Sequence, residues 1–244
     1  KEKGMKVNYI EEKAKFKEYV DSFDMRNEKI SNKYFHSLRV MEIANRLALS
    51  LNFNEEEIYI SNLIGLLHDI GRFEQARDYD TFVDAISIDH GDLGYEILKS
   101  GLVNEFTDDE RIKKIILIST KNHNKLKIED GLTEKKIKFC KLIRDADKLD
   151  ILKTQCLVND EIRPLKKVLF DDLYNDKICR NTDCENQTDK IVKLISWIAD
   201  FNYPYSYQYL KEHNIMEEKI KLLGNVEGIN ELRDYVNKKI EERC

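Results

Sequence analysis

Chemistry is concentrated in one short stretch, Leu66-Leu67-His68-Asp69-Ile70-Gly71-Arg72. It closes a strongly apolar segment, residues 58–67, with an imidazole, a carboxylate, a glycine and a guanidinium. A histidine and an aspartate beside buried leucines are costly unless something satisfies them. A divalent metal ion would do so, because imidazole nitrogen and carboxylate oxygen are both good ligands for borderline metals. Neighbouring residues on a helix do not face each other. An ion shared by His68 and Asp69 must therefore sit over the helix edge and draw further ligands from other elements.

Those elements read as helices. The chain has 244 residues, 41% hydrophobic and 36% charged, with only two prolines and nine glycines. So few turn formers favour long helices over a strand-and-turn protein. An amphipathic helix is expected over residues 7–23, with Val7, Ile10, Ala14 and Tyr19 or Val20 inward, then a polar joint over 24–32. The next helix spans 33–51, and its stripe Val40, Ile43, Ala44, Leu47, Leu51 runs back one turn to His36. Asn54 with Glu57 three residues on marks another helix start; that helix carries Ile60, Ile64 and Leu67 into His68-Asp69, and Gly71 is its expected stop. Residues 73–89 read as an irregular loop over a site. A short helix from His90 runs to Leu98, and Thr107 with Glu110 caps a helix over 108–122 that points one turn on to His123. In the helix over 133–152, Phe139, Leu142 and Ile143 are inward, and Asp147 lies one turn further on that face. Beyond it, a short helix is expected at 168–174, a helix over 182–201 with the sole Trp197, an aromatic turn at 203–205, and three closing helices. The fold class is all-α, one domain over 1–244, with a core at about 30–152 and a helical extension over 153–244.

The same pass brings out a constellation. His36, His68, His90, His123 and Asp147 each continue the apolar face of a different expected helix. Four of the chain's five histidines are placed in this way. Each buried polar side chain needs a partner, and one shared metal centre would satisfy all of them together.

With this ordered set the chain resembles the HD superfamily of metal-dependent phosphohydrolases. The resemblance rests on His36, then His68-Asp69, then Asp147, in the contexts LLHDIGR, DHGDLGYEIL, KNHNK and RDADKLD, and covers about residues 30–152. It implies a bundle of five core helices, here with an N-terminal helix and additional C-terminal helices. The extra histidines His90 and His123 match subfamilies that hold two metals, among them the HD-GYP cyclic-dinucleotide phosphodiesterases and bacterial diadenosine tetraphosphate hydrolases. The Gly-Tyr-Pro signature is absent after Gly71, where Arg-Phe-Glu stands instead.

By that resemblance, His36, His68, Asp69 and Asp147 hold a first ion. His90 and His123 hold a second, with Asp69 bridging. Such donors suit iron, manganese, cobalt, nickel or zinc. Two ions about 3.5–4 Å apart clamp a phosphoryl group and lower the pKa of a bridging water. Asp69, Arg72 and Lys148 are the expected catalytic residues. Arg72, whose fork suits phosphate oxygens, is also expected to bind substrate, with Lys148, Gln75 and Arg77. Asp150 is a candidate for orienting a ligand histidine, and Asp89 likewise beside His90. Gly65 is expected to allow close helix packing.

The implied activity is hydrolysis of a phosphoester or phosphoanhydride of a nucleotide-like small molecule. Cyclic nucleotide or dinucleotide cleavage is an alternative, and a non-catalytic metal-binding regulatory module is another. Net charge is −5 with dispersed basic residues, which argues against a nucleic-acid partner. No apolar run reaches the roughly 18 residues of a membrane span. Met5 reads as the native start, preceded by foreign Lys1–Gly4, with no secretory signal. Five irregularly spaced cysteines read as reduced thiols in a cytoplasmic protein. The paired Lys/Glu runs at 11–18 and 234–243 read as solvated helix faces.

Overall fold

The computed structural model describes residues 9–244. They form helices joined by loops, with no strand among the described residues. The chain divides into two compact units, Lys1–Arg144 and Asp145–Cys244. No helix among the described residues is long and apolar enough to cross a membrane, and all five cysteines are free thiols.

The N-terminal unit holds α1 (Ile10–Val20), α2 (Glu28–Ser50), α3 (Glu55–Leu67), α4 (Gly71–Tyr79), α5 (His90–Lys99), α6 (Glu110–Asn122) and the first half of α7 (Glu134–Thr154). The expected start of the first helix at Val7 lies outside the described residues. Within α1 the buried face is Phe16 and Val20, and Ile10 and Ala14 are exposed. Phe16 and Tyr19 instead turn onto Phe73, at 5.9 and 6.2 Å between rings. Aromatic edge contacts of this kind outbid the aliphatic stripe. The polar joint is shorter than expected, because Asn27 caps α2 by accepting from the Lys29 amide at 2.9 Å. A side-chain oxygen there satisfies a first-turn N–H that no helical carbonyl can reach. The Asn54–Glu57 capping box opens α3 in both directions, at 2.9 and 3.1 Å.

Gly71 opens α4 and does not end α3's run, so residues 73–79 are helical where a loop was expected. The irregular segment shrinks to residues 80–89, entered through Asp80 in a left-handed conformation. Asp109, not Thr107, caps α6, accepting from the Arg111 amide at 2.8 Å. Its carboxylate sits one residue before the first helical turn, where the free N–H groups point. The internal faces of α2, α3, α6 and α7 meet through fully buried Val40, Leu47, Leu63, Ile64, Ile116, Phe139 and Ile143.

The C-terminal unit takes the second half of α7, then α8 (Lys167–Tyr174), α9 (Gln187–Ser196), α10 (Pro204–Glu212), α11 (Ile215–Lys221) and α12 (Ile229–Arg243). Asn186 caps α9, five residues later than the expected start. Trp197 lies in the 3-10 turn Trp197–Asp200 that follows α9. Pro204 is the first residue of α10 and not the centre of a turn; proline suits that position, where its missing N–H costs nothing. The Asp145 carboxylate anchors this start, accepting from the Asn202 and Tyr203 amides and from Ser206 Oγ at 2.7–3.1 Å. Phe201 and Tyr207 are buried with rings 5.9 Å apart, so the aromatic cluster is largely core.

Candidate metal centre

Helix ends deliver the histidines. His68 is the C-cap residue of α3 and His123 that of α6, while His90 is the first residue of α5. His36 sits in the third turn of α2. Asp69 lies in the turn between α3 and α4. All five are buried.

Two glycines let these ends approach. A Cβ on Gly65 would stand 2.7 Å from Met41 Cα, so α2 and α3 touch backbone to backbone there. A Cβ on Gly71 would stand 2.3 Å from the His90 carbonyl oxygen, where α4 meets α5.

The Asp69 carboxylate is the centre of the arrangement. Oδ2 lies 3.4 Å from His36 Nε2 and 3.7 Å from His68 Nε2. Oδ1 lies 3.4 Å from His123 Nε2 and 3.5 Å from His90 Nε2. Four imidazoles thus turn the same ring nitrogen toward one carboxylate. Lys33, one turn before His36 on α2, donates from Nζ to Asp69 Oδ2 at 2.6 Å. Burial works against the Asp69 anion, but the Lys33 charge and the surrounding histidines outweigh it and hold its pKa well below the usual range.

The other ring nitrogens fix the tautomers. His68 Nδ1 lies 2.9 Å from the Gly65 carbonyl and His123 Nδ1 lies 2.6 Å from the Thr120 carbonyl. A carbonyl only accepts, so both Nδ1 atoms carry the proton and both Nε2 atoms present lone pairs. His90 Nδ1 likewise donates to Asp84 Oδ2 at 2.6 Å. Burial pushes the His90 imidazole down to about 4, against the pull of Asp84, so the ring is neutral at pH 7. Neutral imidazole is the form that binds metal.

The donors fit a transition-metal ion. His90 Nε2 and His123 Nε2 are 3.0 Å apart. Two lone pairs at that distance repel, whereas adjacent ligands on an ion with bonds of about 2.1 Å are about 3 Å apart. One ligand atom each from His68, Asp69 and His123 lie within 4.8 Å of one another.

The remaining expected site residues divide. Arg72 faces the centre, its Nε 3.8 Å from Asp69 Oδ1. Its Nη1 donates to Gln75 Oε1, the Phe82 carbonyl and Asp84 Oδ1 at 2.7–3.0 Å. Gln75 is fully buried, and its amide donates to Asp84 Oδ1, Ser87 Oγ and the Ile88 carbonyl, each at 2.9 Å. It braces the loop. Arg77 is half exposed, forked onto Asp78 at 2.6 and 2.8 Å and stacked over Phe23. None of its hydrogen bonds reaches the histidine cluster. Asp89 caps α5 and pairs with Lys125 at 2.7 Å, so it does not orient His90. In the C-terminal unit, Asp147 is partly buried on α7, Lys148 is paired with Asp200, and Asp150 is buried.

Three contributors escape sequence reading. Lys33 left a signal, since it precedes His36 by three residues and shares its face. Asp84 and Asn124 left none. Asn124 Nδ2 donates to Asp89 Oδ1 at 3.0 Å and to Asp84 Oδ2 at 3.3 Å, contacts set by the course of two loops.

No curated protein and no solved structure shows a significant match to the chain. The family model of the HD domain matches residues 34–152. That span begins just before His36, takes in all four clustered histidines and Asp69, and ends beyond Asp147. Metal-dependent phosphohydrolysis is the general activity of that family, and its members bind divalent metals. The chain therefore carries, over residues 34–152, a domain of the HD superfamily.

Proposed function

We propose that the protein is a phosphohydrolase that uses two divalent transition-metal ions to cleave a phosphoester or phosphoanhydride of a nucleotide-like small molecule. The convergence of four Nε2 atoms on the Asp69 carboxylate, three of them with Nδ1 protons tied down, carries the reading. His36, His68, Asp69 and Asp147 would hold one ion, and His90 and His123 the other, with Asp69 shared. Bound metal would supply a hydroxide at neutral pH and a charge clamp on the phosphoryl oxygens.

The protein's own residues do the rest. The carbonyls of Gly65 and Thr120 keep His68 and His123 in the ligating tautomer. Arg72 is the proposed phosphate contact: its Nη1 is held by Gln75, the Phe82 carbonyl and Asp84, and among the described residues Nη2 makes no hydrogen bond, leaving that edge of the fork for a phosphate oxygen. Gln75, Arg77 and Lys148 bond to Asp84, Asp78 and Asp200, and Arg72 is put ahead of them as the phosphate contact. Phe82, whose ring packs on both Lys33 and Arg72 at 5.4 and 5.2 Å, shields these cations from water.

The test is a panel of nucleoside monophosphates, diphosphates and cyclic nucleotides with the manganese-loaded protein, alongside Asp69→Ala. Phosphate release by the wild type, lost in Asp69→Ala at unchanged helical circular dichroism, is the expected result. Full activity in Asp69→Ala would refute the reading. Ring opening of cyclic nucleotides without phosphate release would replace it with a phosphodiesterase.

A further inference from the structure

His68 and His123 are held by backbone carbonyls of their own helices, but His90 is held by a carboxylate from a loop. Asp84 Oδ2 accepts from His90 Nδ1 at 2.6 Å, and Asn124 Nδ2 lies 3.3 Å from the same oxygen. Asp84 Oδ1 accepts from Arg72 Nη1 at 3.0 Å and from Gln75 Nε2 at 2.9 Å. One side chain, itself only partly exposed, therefore takes four donors from three places along the chain: α4, the start of α5 and the loop after α6. The Gln75 amide then extends the attachment to Ser87 and Ile88. Arg72 and Gln75 also hold Phe82, Ser87 and Ile88 directly, and Asp84 is the group that ties the segment to His90.

A carboxylate on Nδ1 does two things to a ligand histidine. It fixes the tautomer that turns the Nε2 lone pair inward, and it makes the ring a stronger donor. His90 needs this more than its neighbours, since no helix carbonyl is in place to do it: His90 begins α5.

We propose that Asp84 is a positioning residue whose carboxylate both holds His90 as a metal ligand and fastens residues 81–88 against Arg72. The proposal rests on the two-metal reading above. It makes the second ion dependent on a loop and the first ion independent of it.

Cobalt(II) titration of the metal-free full chain, followed by visible absorption and calorimetry, tests this. The wild type should take about two equivalents. Asp84→Asn places an NH₂ group against one of the four donors and removes the charge. It should keep the first equivalent and bind the second about 10- to 100-fold more weakly. Asp84→Glu, which keeps the charge, should recover part of the loss, and it supplies the measurement if Asp84→Asn does not fold. Ser87→Ala loosens the loop without touching His90 and should bind both equivalents as the wild type does. Equal second-site affinity in Asp84→Asn and wild type would overturn the proposal. So would an equal loss in Ser87→Ala, which would make loop order the cause. A wild type that takes one equivalent yet hydrolyses phosphoesters would overturn it and leave the phosphohydrolase standing.

Discussion

Gly71→Ala tests the claim that close helix approach builds the centre. The added Cβ would lie 2.3 Å from the His90 carbonyl oxygen and 2.7 Å from the Gly94 amide nitrogen. Both atoms are backbone, so no side chain can swing away. Reaching ordinary contact, near 3.4 Å, opens the α4–α5 gap by about 1 Å. Overpacking of this kind costs about 1–3 kcal/mol. Alanine gains at most about 1 kcal/mol over glycine inside a helix, and less here, because Gly71 opens α4. The net loss is therefore about 1–2 kcal/mol, or about 2–8 °C in melting temperature for a chain of this size. His90 moves with the gap, away from His123 and Asp69. Thermal melting of the metal-free protein should show the lower midpoint, and cobalt titration should show weakened binding of the second equivalent. An unchanged midpoint with two unaltered equivalents would refute the reasoning, because the contact would then be soft.

Two further predictions follow from charges around the site. Lys33→Met removes the cation that neutralises Asp69; it should destabilise the metal-free protein by about 1.5–3 kcal/mol, the worth of a charged hydrogen bond. The loss should shrink when metal supplies the charge instead, and equal losses in metal-free and metal-saturated melts would contradict this. Glu57 is held below its ordinary value of 4.5 first by the Lys138 hydrogen bond and also by the Asn54 amide, with burial opposing. A lowered carboxyl stabilises the fold above its unfolded pKa and loses that contribution as pH falls through the folded value. Melting temperatures of wild type and Glu57→Gln should therefore differ at pH 7 and converge as pH falls below the folded value; a constant gap would show that charge is not involved.

Much of the centre was legible because buried polar residues break an apolar stripe visibly. His36 and His123 each stand where a leucine would continue the face, and the Asn54–Glu57 box marks the start of α3 by its chemistry alone. Failures came where tertiary contacts outweigh local pattern. Phe73 draws Phe16 and Tyr19 inward and leaves Ile10 in solvent. Gly71 reads as a helix stop, since glycine so often is one; here it is chosen for the absence of a Cβ beside His90. Thr107 and Asp109 are both plausible caps, and only the backbone path decides between them. Asp84 lies in a loop without periodicity, so nothing in the sequence links it to His90. Nor does the pattern show which acids Arg77 and Lys148 pair with, Asp78 and Asp200.

The central claim is that these histidines and Asp69 hold metal, and metal content is its most direct test. The full chain should be purified without chelator, and its metals counted by elemental analysis beside Asp69→Ala treated in the same way. About two equivalents of a transition metal in the wild type, and far less in Asp69→Ala, is the expected result. A wild type without bound metal, which takes up none on addition of manganese or iron, would contradict the account.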